Sequence, residues 1–186
     1  MKSFSGLDRA TLRREKKAAR EALSETERRE KSEAIVRKIL AHLAFQKAGT
    51  VMLYRAVGGE VMLDDLPSLA PGKRYVYPRC LPGRAMEALA PADEKAWRRG
   101  AFQIPEPDPA RSEMVPPEEI DLVLCPCASF DGSGNRLGMG GGYYDRFLPR
   151  CSRAAVLAVA FEVQRADRIP CEPWDRRVDG VVTELT

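Results

Sequence analysis

Residues Asn135 to Arg146 combine the residue types that bind phosphate, since the segment reads Asn-Arg-Leu-Gly-Met-Gly-Gly-Gly-Tyr-Tyr-Asp-Arg. Glycine lets a backbone take positive φ and lets a ligand approach without a Cβ in the way. Consecutive amides in such a turn can bind an anion, and a helix that begins just after the turn adds its positive end. Guanidinium groups at Arg136 and Arg146 suit phosphate, and Asp145 adds the carboxylate of a magnesium–phosphate site. This pattern predicts a nucleotide-phosphate loop.

A flexible glycine turn is the alternative, because glycine clusters are commonly turns or linkers. A linker, however, would carry serine and mobile polar residues rather than two tyrosines within an Arg/Asp/Arg frame. The commoner phosphate loops do not fit this sequence. The only Gly-Lys pair is followed by Arg74 rather than by serine or threonine, and Tyr143 stands at the third glycine position of the dinucleotide pattern. We therefore expect a phosphate loop of a less common kind.

Length and composition predict one domain over residues 1–186, with a full core. The longest apolar run, Ala154 to Phe161, is too short to span a bilayer, and the first residues show no signal peptide. Five scattered cysteines and a single histidine argue against a zinc site. They fit reduced thiols in the cytoplasm, so we expect a cytoplasmic protein without a membrane partner.

The net charge of +3 is too small to indicate nucleic acid by itself. Its distribution is uneven, because residues 1–40 hold twelve Lys/Arg and seven Asp/Glu and so carry +5, whereas the remainder carries −2. A locally basic N-terminus suits a polyphosphate or an anionic polymer, or is only a solvated helix face.

The elements that must position these residues alternate between helices and strands. Asp8 can cap a helix that runs to about Leu23, and Ser24–Glu27 is a capping box that opens a second helix. The second helix should bury Ile35, Val36, Ile39, Leu40 and Leu43. Five segments are expected to be strands: Thr50–Tyr54, Arg74–Tyr77, Asp121–Cys125, Ala155–Ala160 and Val178–Thr183.

This alternation predicts an α/β fold, with a largely parallel central sheet flanked by helices and a basic N-terminal helix. Residues 104–117 contain five prolines and are expected to form an ordered surface connection. In parallel sheets ligands gather beyond the carboxyl ends of the strands. The glycine-rich loop follows the Asp121–Cys125 strand, and Gly58-Gly59-Glu60 follows the Thr50–Tyr54 strand. Both segments should therefore face one cleft.

The chain resembles the 5-formyltetrahydrofolate cyclo-ligase family, also called methenyltetrahydrofolate synthetase, over nearly its whole length. The glycine-rich loop is the most specific part of the resemblance, and the weaker motifs support it by their order. They are Thr-Leu-Arg-Arg in the first helix, Gly-Gly-Glu, Tyr-Val-Tyr-Pro-Arg, Phe102-Gln-Ile-Pro-Glu-Pro, and Pro173-Trp-Asp-Arg-Arg-Val-Asp-Gly near the C-terminus.

The resemblance implies an ATP- and magnesium-dependent reaction. That family closes the formyl group of 5-formyltetrahydrofolate onto the 10-nitrogen and gives 5,10-methenyltetrahydrofolate, ADP and phosphate. A formamide oxygen is a poor leaving group, and phosphorylation makes phosphate leave instead, so the protein mainly positions phosphates and neutralises charge. The resemblance also implies a monomer that acts on a small molecule and binds no nucleic acid.

The site residues implied by the resemblance fall into four groups. Arg136, Tyr143 and Asp145 would act on the reacting groups, and Asp145 and Asp175 would bind magnesium. Glu60 would hydrogen-bond the pteridine ring, where a carboxylate matches adjacent N–H donors. Arg55, Phe102, Tyr143 and Tyr144 would complete the folate side. ATP would be held by Arg9, Arg13, Arg136, Leu137, Gly138, Met139, Gly140, Gly141, Gly142, Tyr143 and Tyr144.

Each assignment has a structural alternative. Arg9 and Arg13 could be the solvated face of a charged helix, and Glu60 could cap the short helix expected near Asp64–Leu69. Asp175 could cap a turn or pair with Arg176, and the two tyrosines could belong to the core.

Three positions depart from the family pattern: Met139, Trp174 and the Arg55-Ala56-Val57 segment. The last lies on the expected folate side, where Arg55 could meet the glutamate tail of folate or point to solvent. It motivates one alternative, a related ATP-dependent enzyme that acts on another pteridine or formyl compound. A nucleic-acid-binding domain built on the basic first helix is the second alternative. The seven acids and the absence of interleaved aromatics on that helix argue against it.

Overall fold

The computed structural model describes residues 8–100 and 103–186. The chain begins with helix α1 (Arg9–Glu21), whose N-terminus is capped by the Asp8 side chain. Helix α2 (Glu25–Ala41) opens with the predicted capping box, in which Ser24 and Glu27 exchange hydrogen bonds. At His42 the chain turns into a short helix, α3 (Leu43–Lys47), so the predicted second helix is divided in two. Leu43 begins α3 and is exposed, so its expected place in the core is wrong.

All five predicted strands form, and they lie side by side in parallel. The remaining helices are short: α4 (Leu66–Leu69) follows the first strand, and α5 (Tyr143–Phe147) follows the glycine-rich loop. The predicted α/β class with a largely parallel sheet is therefore confirmed. In sheet order the five strands are β11 (Gly180–Val182), β10 (Ala155–Val159), β7 (Leu122–Pro126), β1 (Thr50–Met52) and β2 (Arg74–Leu81).

Two antiparallel strands extend this sheet beyond β2. Strand β3 (Ala85–Pro91) forms a hairpin with β2, and β6 (Ser112–Val115) pairs with β3 at the edge. A separate ribbon joins β4 (Trp97–Arg99) to β5 (Pro105–Pro107), and a smaller one joins β8 (Ser129–Phe130) to β9 (Arg136–Leu137). Residues 104–117 were predicted to be an ordered surface connection; they are ordered, but they contain two strands that the sequence did not predict.

The core consists of two apolar layers, one on each side of the parallel strands. Ile35 and Ile39 of α2 pack with Leu124 of β7 on one side, and Phe130 and Phe147 pack on the other. Cys125 and Cys127 are free thiols buried in the second layer, as expected of packed rather than redox-active cysteines. No helix among the described residues is long and apolar enough to cross a membrane.

Candidate active site

Two cavities open side by side at the carboxyl ends of β1 and β7. The first, of about 400 Å³, is called the arginine cavity; the second, of about 420 Å³, is called the aromatic cavity. Gly138, Gly142 and Asp145 line both, so the glycine-rich loop and the start of α5 form their common border. The predicted convergence of this loop with Gly58-Gly59-Glu60 is confirmed, since Gly58 and Glu60 line the aromatic cavity.

The glycine-rich loop takes a shape that side chains would obstruct. Gly140 and Gly142 have φ values of 105° and 67°, which residues with a Cβ rarely adopt. A Cβ at Gly141 would lie 2.7 Å from the ring of Tyr143. Loop and first helix are tied together, because Nε of Arg13 donates to the Gly138 carbonyl at 2.8 Å. The predicted meeting of α1 with this loop is therefore seen in the structure.

Arg13 is a cation suited to an anionic ligand. Within the described residues it forms no ion pair, and its only hydrogen bond goes to a backbone carbonyl. Burial and the neighbouring Arg9 lower its pKa, as expected for a guanidinium with no carboxylate beside it. A polyphosphate bound in the arginine cavity would supply the missing negative charge.

Arg136 and Asp145 form an ion pair at the border of the cavities. Nη2 of Arg136 lies 2.7 Å from Oδ1 of Asp145, and the Arg136 side chain is 1% exposed. Its guanidinium carbon stands 5.7 Å from the ring centroid of Tyr144. Nε of Arg136 and the hydroxyl of Tyr144 are buried and have no hydrogen-bond partner in the part of the chain that the structure describes. Unpaired buried polar groups are costly and are common at binding sites.

Asp175 reaches the same arginine cavity from the C-terminal part of the chain. The segment before β11 is held by the turn that precedes the glycine-rich loop, because the Val178 N–H donates to the Gly134 carbonyl at 2.9 Å and Nε of Arg177 donates to Oδ1 of Asn135 at 3.1 Å. Asp175 forms an ion pair with Arg9 and accepts a hydrogen bond from the Glu172 N–H at 2.8 Å. Burial raises the pKa of Asp175, but the hydrogen bonds from Arg9 and Glu172 outweigh it and hold the pKa below its ordinary value.

Glu60 lies at the base of the aromatic cavity and is 6% exposed. One of its carboxylate oxygens accepts a hydrogen bond from the Val57 N–H at 3.1 Å, and the other lies 3.9 Å from Nη1 of Arg20. Burial raises its pKa, and the Val57 N–H and Arg20 offset only part of that effect. A carboxylate held this way would gain from N–H donors of a ligand.

Aromatic side chains form the walls of the aromatic cavity. Tyr143 and Tyr144 line it from the start of α5, and both also pack against the core. Tyr54, just beyond the end of β1, and Tyr77 of β2 also line this cavity. The Tyr54 hydroxyl donates a hydrogen bond to the Val61 carbonyl at 3.0 Å. The surface suits a flat heterocycle whose polar edge meets Glu60.

Arg55 lines the aromatic cavity at its outer side. Its guanidinium carbon is 4.1 Å from the ring centroid of Trp97, and it forms an ion pair with Asp64. The side chain is therefore stacked and paired rather than free in solvent.

Three other predicted site residues differ in where they lie relative to the cavities. The Leu137 side chain is fully buried with Leu12 and Ile169, so only its backbone could meet a nucleotide. Met139 is 42% exposed and lines the aromatic cavity. Phe102 lies outside the described residues, so its role stays a prediction.

Sequence reasoning missed several residues that line the cavities, and four of them bear on binding. Arg84 and Trp174 face the arginine cavity, and Arg20 and Glu106 face the aromatic cavity. Arg20 follows Arg13 by seven residues, two turns along one face of α1, and this helical spacing was an available signal. Glu106 is a charged residue between two prolines, and it is 5% exposed.

The donor groups present fit a nucleotide with magnesium. Arginine side chains and the open glycine backbone suit a polyphosphate, and the carboxylates of Asp145 and Asp175 are the hard oxygen ligands that magnesium prefers. No three Asp, Glu, His or Cys side chains among the described residues converge as a protein-only metal site would need. Magnesium takes only one or two carboxylates when phosphate oxygens and waters complete its shell.

Comparisons with known proteins agree on one family. The sequence model of the 5-formyltetrahydrofolate cyclo-ligase family matches residues 6–184. The 5-formyltetrahydrofolate cyclo-ligase of Mus musculus is 30% identical, over 93% of this chain and 92% of the mouse protein. The NMR structure of Aquifex aeolicus 5,10-methenyltetrahydrofolate synthetase superposes with a TM-score of 0.85 at 35% identity, covering 96% of this chain and 90% of that one. The structure of the Mycoplasma pneumoniae 5,10-methenyltetrahydrofolate synthetase superposes with a TM-score of 0.78 at 25% identity, covering 95% of this chain and 99% of that one.

Proposed function

This chain belongs to the 5-formyltetrahydrofolate cyclo-ligase family, and on that basis we propose that it converts 5-formyltetrahydrofolate into 5,10-methenyltetrahydrofolate. The reaction consumes ATP with magnesium and releases ADP and phosphate. The protein acts as a monomer in the cytoplasm and serves one-carbon metabolism.

The observation that carries this proposal is the common border of the two cavities. Among the described residues, four arginines and three carboxylates line the arginine cavity, a set that suits a triphosphate with magnesium, and the aromatic cavity has the shape and the buried carboxylate for a pteridine. Both are lined by Gly138, Gly142 and Asp145, so a terminal phosphoryl group and a formyl oxygen can meet there. Phosphoryl transfer needs the two reactants held at contact, with charge stabilisation around them.

The proposed chemistry has two steps. The formyl oxygen takes the γ-phosphoryl group and ADP leaves; the lone pair of the 10-nitrogen then attacks the formyl carbon. Loss of the proton on that nitrogen and departure of phosphate give the methenyl product.

The chain's residues bind and orient these reactants. Glu60 holds the N–H edge of the pteridine, while Tyr143 and Tyr144 exclude water around the reacting carbon. Arg136 faces the transferring group from beneath the loop, and Arg9 and Arg13 hold the remaining phosphates together with the loop amides. Magnesium, held by Asp145 and Asp175, would neutralise phosphate charge.

The contacts of helix α1 favour this assignment over nucleic acid. Arg9 and Arg13 line the arginine cavity, Lys17 and Arg20 line the aromatic cavity, and Arg9 is already paired with Asp175. These cations face the site rather than an outer surface that a nucleic acid backbone could follow. Another pteridine or formyl compound stays the closer alternative, because Arg55 and Trp97 shape the outer wall of the aromatic cavity.

We expect purified protein to form the methenyl chromophore from 5-formyltetrahydrofolate only when ATP and magnesium are both present. Absorbance at increasing enzyme concentration, with omission of ATP or magnesium as controls, measures this. Folded protein that binds ATP but forms no chromophore would contradict the substrate assignment. Other formyl compounds assayed for ATP-dependent phosphate release would then test the alternative.

Asp145→Asn and Asp175→Asn should each raise the magnesium concentration for half-maximal rate, on the order of tenfold or more, since groups that support a metal typically carry that much affinity. Magnesium titrations of the rate, beside melting curves, measure this. Asp93→Asn is a matched control, because this aspartate pairs with Arg111 at 2.9 Å and lines neither cavity. If Asp175→Asn lowers only the melting temperature, its turn cap and its pairing with Arg9 are its whole role.

A further inference from the structure

Arg84 lies at the tip of the hairpin formed by β2 and β3. Leu81 pairs with Ala85, which leaves a three-residue loop of Pro82, Gly83 and Arg84. The φ of Arg84 is 61°, and besides Gln103 no other non-glycine residue of the described chain has a positive φ. A residue with a Cβ is strained there, and such strain persists where the surroundings hold it, often at ligand sites.

The hairpin that carries Arg84 runs along both cavities. Tyr77, Cys80 and Met86 of its two strands line the aromatic cavity, whereas Arg84 at the tip lines the arginine cavity. Met86 is only two residues from Arg84. The guanidinium of Arg84 therefore lies at the expected triphosphate site, on a hairpin whose strands line the neighbouring expected folate site.

Arg84 is also an uncommitted cation. Arg9 pairs with Asp175, Arg13 donates to the Gly138 carbonyl, and Arg146 donates to the Gly142 carbonyl at 3.0 Å. Arg84 is exposed and, within the described residues, has neither an ion pair nor a hydrogen bond to its side chain. A guanidinium in this position is available to an incoming phosphate.

We propose that Arg84 is a further catalytic residue, which binds the terminal phosphoryl group of the nucleotide and neutralises the charge that develops on it during transfer. The proposal rests on the proposed function. The terminal phosphoryl group is the part of the nucleotide that must cross to the aromatic cavity, and Arg84 reaches the arginine cavity from the hairpin that also lines the aromatic cavity. Guanidinium groups that arrive from a separate element have this role in other phosphoryl-transfer enzymes.

Arg84→Gly removes the side chain without straining the backbone, because glycine accepts a positive φ. The variant should therefore melt no lower than the wild type. We expect its rate of methenyl formation to fall about 10²-fold. Without folate, its affinity for a non-hydrolysable ATP analogue should fall about tenfold, and its affinity for ADP should stay within about twofold, because only the former carries the terminal phosphoryl group. Arg84→Lys should recover part of the rate.

Arg14→Ala is the matched control, since it removes an exposed arginine of α1 that lines neither cavity. A rate for Arg84→Gly equal to that of this control would overturn the proposal. Equal losses of affinity for ADP and for the ATP analogue would overturn it too, since Arg84 would then hold the diphosphate.

If the wild type binds both nucleotides but makes no methenyl product, the proposed function fails, while the nucleotide affinities still decide the role of Arg84. A wild type that binds neither nucleotide overturns both.

Discussion

Arg136→Gln is expected to lower kcat about 10³-fold, the effect typical of losing a buried charge that stabilises a phosphoryl-transfer transition state. The Arg136 side chain is 1% exposed, and it lies where the two cavities meet. Among the described residues its Nε has no hydrogen-bond partner, so it remains available to a phosphate oxygen. Glutamine keeps a donor of similar length but removes the charge.

A structural role for Arg136 predicts a different pattern. Removing one partner of a buried ion pair typically costs about 3–5 kcal/mol, because the other charge is left unpaired. If the pair with Asp145 only stabilises the fold, the double variant Arg136→Gln/Asp145→Asn should recover melting temperature and, at saturating magnesium, react as fast as Asp145→Asn alone. If Arg136 acts on the phosphoryl group, the double variant recovers stability but stays far slower than Asp145→Asn.

Single-turnover formation of the methenyl chromophore, at saturating ATP and folate, isolates the chemical step from binding. Melting curves recorded on the same preparations show whether each variant is folded. Arg136→Lys should retain part of the activity, since it keeps the charge but not the planar fork. A folded Arg136→Gln variant with a rate within threefold of the wild type would contradict the assignment.

The parallel part of the fold was predictable because its strands are continuous apolar segments between turn-forming residues. Strands covered on both faces carry that pattern, and Leu122–Cys125 is fully buried. The antiparallel strands were not predictable in the same way. Strand β3 mixes alanine with Glu87 and ends at Pro91, and strand β5 contains two prolines. Proline is tolerated at sheet edges, where a missing N–H costs little, so its presence in 104–117 did not exclude strands.

The site was predictable where its residues are close in sequence or lie in the same kind of loop. Gly138–Asp145 and Glu60 both follow parallel strands, and topology alone brings such loops together. Arg84 and Glu106 come from antiparallel hairpins, and where a hairpin lies over the site is set by its packing against distant elements rather than by its own local pairing. Residue periodicity indicates which face of an element is buried, but not which distant loop its end will reach.

Asp175 was predicted to reach the site, but not by the contacts that bring it there. A parallel strand begins at the amino edge of the sheet, and the segment before β11 reaches the arginine cavity because it hydrogen-bonds to Gly134 and Asn135. The pairing of Asp175 with Arg9 was not predictable either, because the two residues are 166 positions apart and nothing in the sequence around one indicates the other.

Glu60→Gln is expected to weaken 5-formyltetrahydrofolate binding about ten- to a hundredfold while ATP affinity stays near the wild-type value. A hydrogen bond to a charged group contributes about 1.5–3 kcal/mol, which sets this range. The glutamine amide keeps one acceptor but presents an N–H where the pteridine also presents one. Equal losses of ATP and folate affinity would place Glu60 on the nucleotide side or in a structural role.

The same substitution should not destabilise the protein at neutral pH. Burial raises the pKa of Glu60 above its value in the unfolded chain. A raised folded-state pKa gives stability that is present at low pH, where the carboxyl is protonated in both states, and that is lost as pH rises through the folded pKa. Glutamine imitates the protonated form, so Glu60→Gln should melt at or above the wild-type temperature, with a difference that grows from acidic to neutral pH.

Folate binding should show the opposite dependence on pH. The ionised carboxylate is the acceptor, so wild-type affinity should fall as pH drops through the raised pKa of Glu60, and the Glu60→Gln variant should lack that change. The charged or titratable groups that face Glu60 are Arg20 and Lys17 of α1, Tyr54, Tyr144 and Cys127. Burial raises the pKa of Tyr54, Tyr144 and Cys127 above their ordinary values, so these three groups keep their protons in this range. Calorimetric titrations of folate against both proteins between acidic and neutral pH measure the effect. Parallel pH profiles would mean that Glu60 is not the acceptor.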